Sequence, residues 1–136
     1  MRVMLDTNIL IYHLTQNHLE HSKASTTLLR KVELGEQEVY CPSTAILESV
    51  FVLQKQFDVD RETIASLLGG FLTLPAVQSE YKKALLRALA FWQDNKSIQF
   101  PDCYHLALTK ELGMTQIYSF DKKMDRYPGI ERIEPT

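Results

Sequence analysis

The chain has 136 residues, 45% of them hydrophobic and 24% charged, with 15 basic and 17 acidic side chains and a formal net charge of -2. That length suits one domain, residues 1–136, able to bury roughly 70% of its unfolded surface in a single core. The near-neutral balance excludes a global positive field that gathers nucleic acid, so any RNA or DNA contact needs a local patch plus metal ions.

Short apolar runs alternate with longer amphipathic ones, the pattern of an α/β domain with a parallel sheet. Arg2 to Leu5 reads as a first strand, after which Ile9, Leu10 and Leu14 begin a short helix. A longer helix runs from Leu19 to Leu34, before Gly35. Glu38 to Cys41 is a brief strand ended by Pro42, and Ser43 or Thr44 then caps a helix carrying Leu47, Val50, Phe51 and Leu53. Asp60 caps the next helix, where Ile64, Leu67, Leu68, Phe71 and Leu72 fall on one face. Pro75 follows it, and Ala76-Val77 is a minimal strand. Ser79 starts a helix of Ala84, Leu85, Ala88, Leu89 and Trp92. Pro101 fits the first turn of a helix that stops at Gly113. Thr115 to Tyr118 is a strand, and Ile130 to Ile133 a last one at the sheet's edge.

No linker, repeat or low-complexity tract divides the chain. Cys41 and Cys103 are the only cysteines, which suits reduced thiols rather than a disulfide framework. Asp6 follows the start too closely for a signal peptide, and no apolar run reaches the length of a membrane span. The expectation is a soluble, cytoplasmic protein without a membrane partner.

Four carboxylates fall at predicted element ends. Asp6 opens Asp6-Thr7-Asn8 directly after the first strand, and Asp121 closes Ser119-Phe120-Asp121 after the strand containing Ile117-Tyr118. Both would lie beyond the carboxyl ends of parallel strands, where ligands gather in open α/β sheets. Asp102 sits in the first turn of its helix, an end that faces the same edge in a right-handed β-α-β layout. Glu48 lies one turn into its own helix, with a side chain long enough to reach inward. Several converging carboxylates repel one another unless a divalent cation holds them. Hard oxygen ligands suit Mg²⁺ or Mn²⁺, and an acidic metal cluster is the usual apparatus for cleaving phosphodiesters. Each residue also has a structural reading: Asp6 as a helix cap or Asx-turn residue, Asp102 as a complement to the helix dipole, Glu48 as a solvated helix residue, and Asp121 as a cap for the turn after it.

Val3-Met4-Leu5-Asp6-Thr7-Asn8-Ile9-Leu10, Leu47-Glu48, Phe100-Pro101-Asp102 and Ser119-Phe120-Asp121 together resemble the PIN-domain nucleases. Length and motif order look most like the VapC-type toxins of toxin–antitoxin pairs, across essentially the whole chain. The resemblance implies a three-layer α/β/α sandwich with a parallel central sheet. It also implies a Mg²⁺- or Mn²⁺-dependent endoribonuclease whose acids map onto Asp6, Glu48, Asp102 and Asp121. Thr7 or Asn8 and Ser119 map as hydrogen-bond partners of those acids. An RNA substrate, a cognate antitoxin that blocks the cleft and a homodimer follow from the same resemblance, and Phe51, Leu67 or Phe71 suit the dimer interface. One departure stands out. Many relatives carry a further acid two residues past the last one, where this chain has Lys123; Asp125 is the next acid.

Other patterns are weaker. His18-x-x-His21 has helical spacing but no third ligand for zinc, and reads as a solvated face. His105 stands one turn after Asp102 and reads as structural or as facing the same cleft. Lys122, Lys123 and Arg126 form a solvated turn or touch RNA phosphates. Two competing classes remain: a PIN-like domain that binds RNA or protein without cutting, and a HAD-like or response-regulator phosphoryl-transfer domain. The HAD pattern wants a second Asp where Asn8 stands.

Overall fold

A computed structural model describes residues 1–136. The chain divides into two compact units, Met1–Glu80 and Tyr81–Thr136.

In the first unit, β1 (Val3–Met4), β2 (Val39–Tyr40) and β3 (Val77–Gln78) form a parallel ladder in that spatial order, with Val3 opposite Val39 and Val39 opposite Val77. Parallel neighbours need long crossovers, and paired helices supply them. Between β1 and β2 lie α1 (Thr7–Thr15) and α2 (Leu19–Glu33); between β2 and β3 lie α3 (Ser43–Lys55) and α4 (Arg61–Leu72). The strands are shorter than the apolar runs suggest, but pairing continues past their ends. Leu5 N–H donates to Tyr40 C=O at 2.8 Å, and Cys41 N–H to Gln78 C=O at 2.7 Å. Asp6 and Pro42 are thus the first residues beyond the ladder on two adjacent strands. That juxtaposition brings α1 and α3 to start side by side, and they pack together.

Helix burial follows the apolar periodicity only in part. Along α4, Ile64, Leu68 and Leu72 are buried, each contributing about 1.5–3 kcal/mol of transfer free energy. Leu67 stays 40% exposed and Phe71 half-buried, so the stripe is wider than the surface available to cover it. Asp60 caps α4 as expected, its carboxylate accepting from Thr63 N–H at 2.8 Å.

Two helix starts differ from expectation. The N-cap of α3 is Pro42, and neither Ser43 nor Thr44 caps it through its side chain. Ser43 is already the first helical residue, and its N–H donates instead to Glu80 Oε1 at 2.5 Å. Glu80 Oε2 accepts from Tyr40 Oη at 2.5 Å, tying the end of β2 to the residues after β3. Burial raises the Glu80 pKa, but these two hydrogen bonds outweigh it and bring the carboxyl down to about 2. The same burial, with Glu80 nearby, pushes the buried Cys41 thiol up to about 12.

In the second unit, α5 (Lys82–Asp94) begins after Tyr81, not at Ser79. Tyr81 holds φ 54°, and that left-handed residue separates Ser79 from the helical run. Helix α5 packs along α6 (Phe100–Glu111), which carries Pro101 in its first turn. Beyond Gly113, whose φ of +80° turns the chain, β4 (Gln116–Tyr118) pairs in parallel with β5 (Glu131–Ile133). A short 3-10 helix, Lys122–Arg126, lies in their connection. The core of this unit gathers Ala84, Leu85, Ala88, Leu89, Trp92, Phe100, Leu106 and Ala107, all buried. The five expected strands therefore exist, all parallel, but their ladders are one of three strands and one of two. No helix is long and apolar enough to cross a membrane.

Candidate metal and nuclease site

In the first unit, Asp6 sits in extended backbone as the N-cap of α1, one carboxylate oxygen accepting from Thr7 N–H at 2.9 Å. The cap reading of Asp6 is thus realised. It occupies one oxygen and leaves the other without a protein partner. Thr7 then links two of the acids: its hydroxyl donates to Glu48 Oε2 at 3.2 Å, across 41 residues of sequence. Glu48 is exposed, nearly two turns into α3.

Asp6, Thr7, Asn8 and Glu48 line one pocket with Tyr12, Asn17 and Gln56, over a floor of Ile11, Val52 and Phe57. Its volume is ≈ 350 Å³. Asn17, Tyr12 and Gln56 escaped the sequence reading. Asn17 reaches the pocket because Gln16 ends α1 in a left-handed conformation, φ 55°, and Thr15 Oγ1 then donates to the Asn17 side chain at 2.9 Å. No local signal marks a non-glycine residue for that turn.

In the second unit, Asp121 is half-buried and also acts as a cap, one oxygen accepting from Lys123 N–H at 3.0 Å. Ser119 Oγ accepts from Asp121 N–H at 3.0 Å, so the predicted partner braces the acid's backbone rather than its carboxylate. Arg132, unremarked in the sequence, holds the far side of this corner. Its guanidinium donates to Ser119 C=O at 2.9 Å and pairs with Asp125 at 2.9 Å and with Glu134. Both carboxylates raise the Arg132 pKa further. Asp125 is thereby committed to an ion pair.

Asp102 is the third residue of α6, half-buried, and its carboxylate accepts no hydrogen bond from the protein. It does not cap α6, whose N-cap Gln99 makes no side-chain bond either. His105 is exposed. Arg126 donates to Ser97 Oγ at 2.6 Å, while Lys122 and Lys123 stand in solvent.

Chemically, the donors around Asp6 are carboxylate, hydroxyl and amide oxygens, with no thiol or imidazole among them. That set fits a hard divalent cation such as Mg²⁺ or Mn²⁺ and not a zinc centre. In neither unit do three or more His, Cys, Asp or Glu side chains gather closely enough to enclose an ion on their own.

Comparison with known proteins matches a PIN domain over residues 3–130. The chain is 23% identical to the VapC ribonuclease of Aquifex aeolicus, the alignment covering 97% of this chain and 96% of that protein. It is equally 23% identical to ribonuclease VapC13 of Mycobacterium tuberculosis, over 96% of this chain and 98% of the relative. Among solved structures it is similar to the Mycobacterium tuberculosis toxin VapC20, at 15% identity and a TM-score of 0.41, covering 98% of this chain and 99% of that one. A second is VapBC2 from Rickettsia felis bound to a promoter DNA fragment, at 16% identity and a TM-score of 0.37, covering all of both chains.

Proposed function

This chain belongs to the PIN-domain family, and from that premise we propose that it is a Mg²⁺- or Mn²⁺-dependent endoribonuclease, the toxin of a toxin–antitoxin pair. The observation that carries the reading is the family match itself. It runs from residue 3 to residue 130, a span that contains Asp6, Glu48, Asp102 and Asp121. The relatives named VapC ribonucleases, aligned over nearly their whole length, support ribonuclease activity and one nuclease domain spanning residues 1–136.

Asp6, Glu48, Asp102 and Asp121 are the proposed metal ligands. Divalent metal at such acids would lower the pKa of an attacking water and steady the leaving oxygen of an RNA phosphodiester. The protein's own part is to hold its carboxylates still. Asp6 is fixed by capping α1, which leaves its second oxygen uncommitted. Thr7 restrains Glu48 through their hydrogen bond. Ser119, braced by Arg132, fixes the backbone at Asp121. Asp102, free of protein partners, keeps both oxygens for the ion.

An antitoxin partner is part of the same reading, from the VapC-type resemblance of the motifs around Asp6, Glu48, Asp102 and Asp121. A homodimer is supported by apolar side chains left in solvent, Phe51 at 60% and Leu67 at 40% exposure, beside the half-buried Phe71. A cytoplasmic location is part of the same reading. The deciding experiment incubates the purified protein with a mixed RNA pool in Mg²⁺, in Mn²⁺ and in chelator. Cleavage that chelator stops supports the proposal, and RNA bound but left uncut in every condition would overturn it.

A further inference from the structure

The His18-x-x-His21 pair lies on a solvated face, as its spacing suggests, but its two rings are not independent. The two imidazoles stack on each other, ring centres 3.9 Å apart and planes 13° from parallel. Tyr12 of α1 closes against both, at 5.7 Å from His18 and 5.0 Å from His21. The stack is held in place from below. His18 is the N-cap of α2, its Nδ1 accepting from His21 N–H at 3.0 Å, while Ser22 Oγ accepts from His18 N–H at 3.4 Å. The arrangement is akin to a capping box, with imidazole in place of the N-cap hydroxyl and the returning acceptor supplied by Ser22, one position past the usual one. Both histidines nevertheless remain exposed to solvent.

Tyr12 and His21 border a pocket of ≈ 450 Å³ that Asn8, Ile9, Ala24, Ser25 and Leu28 also line, and His18 stacks on His21 beside it. Asn8 and Tyr12 also line the pocket that holds Asp6 and Glu48. They are four residues apart on α1 and so share one helix face, which puts the stacked rings next door to the acids within one unit. The ring pocket contains no lysine or arginine. It therefore suits a flat, uncharged group and not a phosphate.

We propose that Tyr12, His18 and His21 form a stacking platform for a nucleobase of single-stranded RNA whose backbone passes the Asp6–Glu48 pocket. The proposal rests on the ribonuclease reading. A base laid on a rigid aromatic stack gains contact without sequence selectivity, and rings already ordered by the helix cap lose little freedom on binding.

The test measures equilibrium binding by the full chain in chelator, so that cleavage does not intervene. The probe is a short single-stranded RNA containing a fluorescent purine, compared with an abasic strand of equal length. His21→Ala removes one ring and keeps the cap, which uses only the His21 backbone. His18→Asn removes the other ring and keeps a side-chain acceptor for the cap. Each should weaken binding of the base-bearing RNA about tenfold, leave the abasic strand unaffected and leave the melting temperature in place. His21→Phe should restore affinity. Equal binding by wild type and both variants, or no binding of base-bearing RNA by the wild type, would overturn the platform. Mg²⁺-dependent cleavage of the same RNA is scored separately. Ring-dependent binding without cleavage would therefore sink the nuclease reading alone, and cleavage without ring dependence would sink the platform alone.

Discussion

In the Met1–Glu80 unit, Asp6 and Glu48 stand in one pocket and are joined through Thr7, whose N–H donates to Asp6 and whose hydroxyl donates to Glu48. In the Tyr81–Thr136 unit, Asp121 donates its N–H to Ser119 Oγ and accepts from Lys123 N–H, while Asp102 touches no protein donor. Each unit fixes one acid by a local backbone cap, Asp6 and Asp121, but the first holds its second acid, Glu48, by a side-chain bond and the second leaves Asp102 bare. A carboxylate already satisfied by protein donors has less to gain from a cation than one with none. The contrast therefore assigns different work to residues that the motif treats alike.

The largest effects should come from the acids. Asp6→Asn and Asp121→Asn should each cut RNA cleavage by about a hundredfold or more, since loss of an outer partner of a metal ligand alone costs 10–100-fold. Asparagine still caps a helix, so circular dichroism should show both variants folded. A folded variant cleaving near the wild-type rate would remove that residue from the site.

Next in size is the response to metal. At a hundred times its dissociation constant, Mg²⁺ should stabilise the wild type by about 2.7 kcal/mol, read as a raised melting temperature. Asp102→Asn should lose most of that rise, because this carboxylate has no other partner. Equal rises in both proteins would mean that the ion binds without Asp102.

Thr7→Ala probes the side-chain link directly. Cleavage should fall about tenfold as Glu48 loses its restraint, and Thr7→Ser should recover most of it. Unchanged rates in the alanine variant would show that Glu48 needs no positioning from Thr7.

A smaller effect belongs to Glu80, which anchors the start of the Glu48-bearing helix. Its folded carboxyl titrates near 2 instead of 4.5, so the unfolded chain takes up the proton first as acid is added. The resulting stability is complete above about pH 4.5 and drains away as pH falls toward 2. Allowing for solvent screening of a half-exposed group, it amounts to about 1 kcal/mol. Chemical denaturation across that range should show the loss in the wild type and a flatter profile in Glu80→Gln.

The smallest change is expected at Asp125. Its Arg132 partner is mostly buried, but Asp125 itself is 55% exposed. Asp125→Asn should shift stability by no more than about 0.5 kcal/mol and leave cleavage untouched. A strong loss of activity would make Asp125 the missing fifth acid.

Much of the architecture was readable before any coordinates. The longer helices carried their own punctuation: Asp60 before α4, Pro101 inside α6, Gly113 after it, and α2 from Leu19 to within a residue of the expected end. Strands were found in the right places, and the outer residues Leu5 and Cys41 of the expected runs still bond to the neighbouring strand beyond the ladder's ends. Helix starts set by distant groups were not readable. The first N–H of α3 is satisfied by Glu80, 37 residues away, and no window of sequence contains both. The start of α5 failed for a related reason, since a left-handed tyrosine has no residue signature.

The same division runs through the candidate site. Sequence alone was enough to single out Asp6, Glu48, Asp102 and Asp121, because a carboxylate that follows an apolar strand or opens a helix is conspicuous against the periodicity around it. Sequence also presented the cap and ligand readings of Asp6 as rivals. Tertiary structure made them compatible, because a carboxylate has two oxygens and the cap takes only one. The Thr7–Glu48 bond, the Arg132 brace behind Ser119 and the stacked His18–His21 pair were decided only by folding. Identity and spacing follow from local pattern; which side chains meet depends on how adjacent strands bring their following helices together, and that contact lies outside the reach of any local rule.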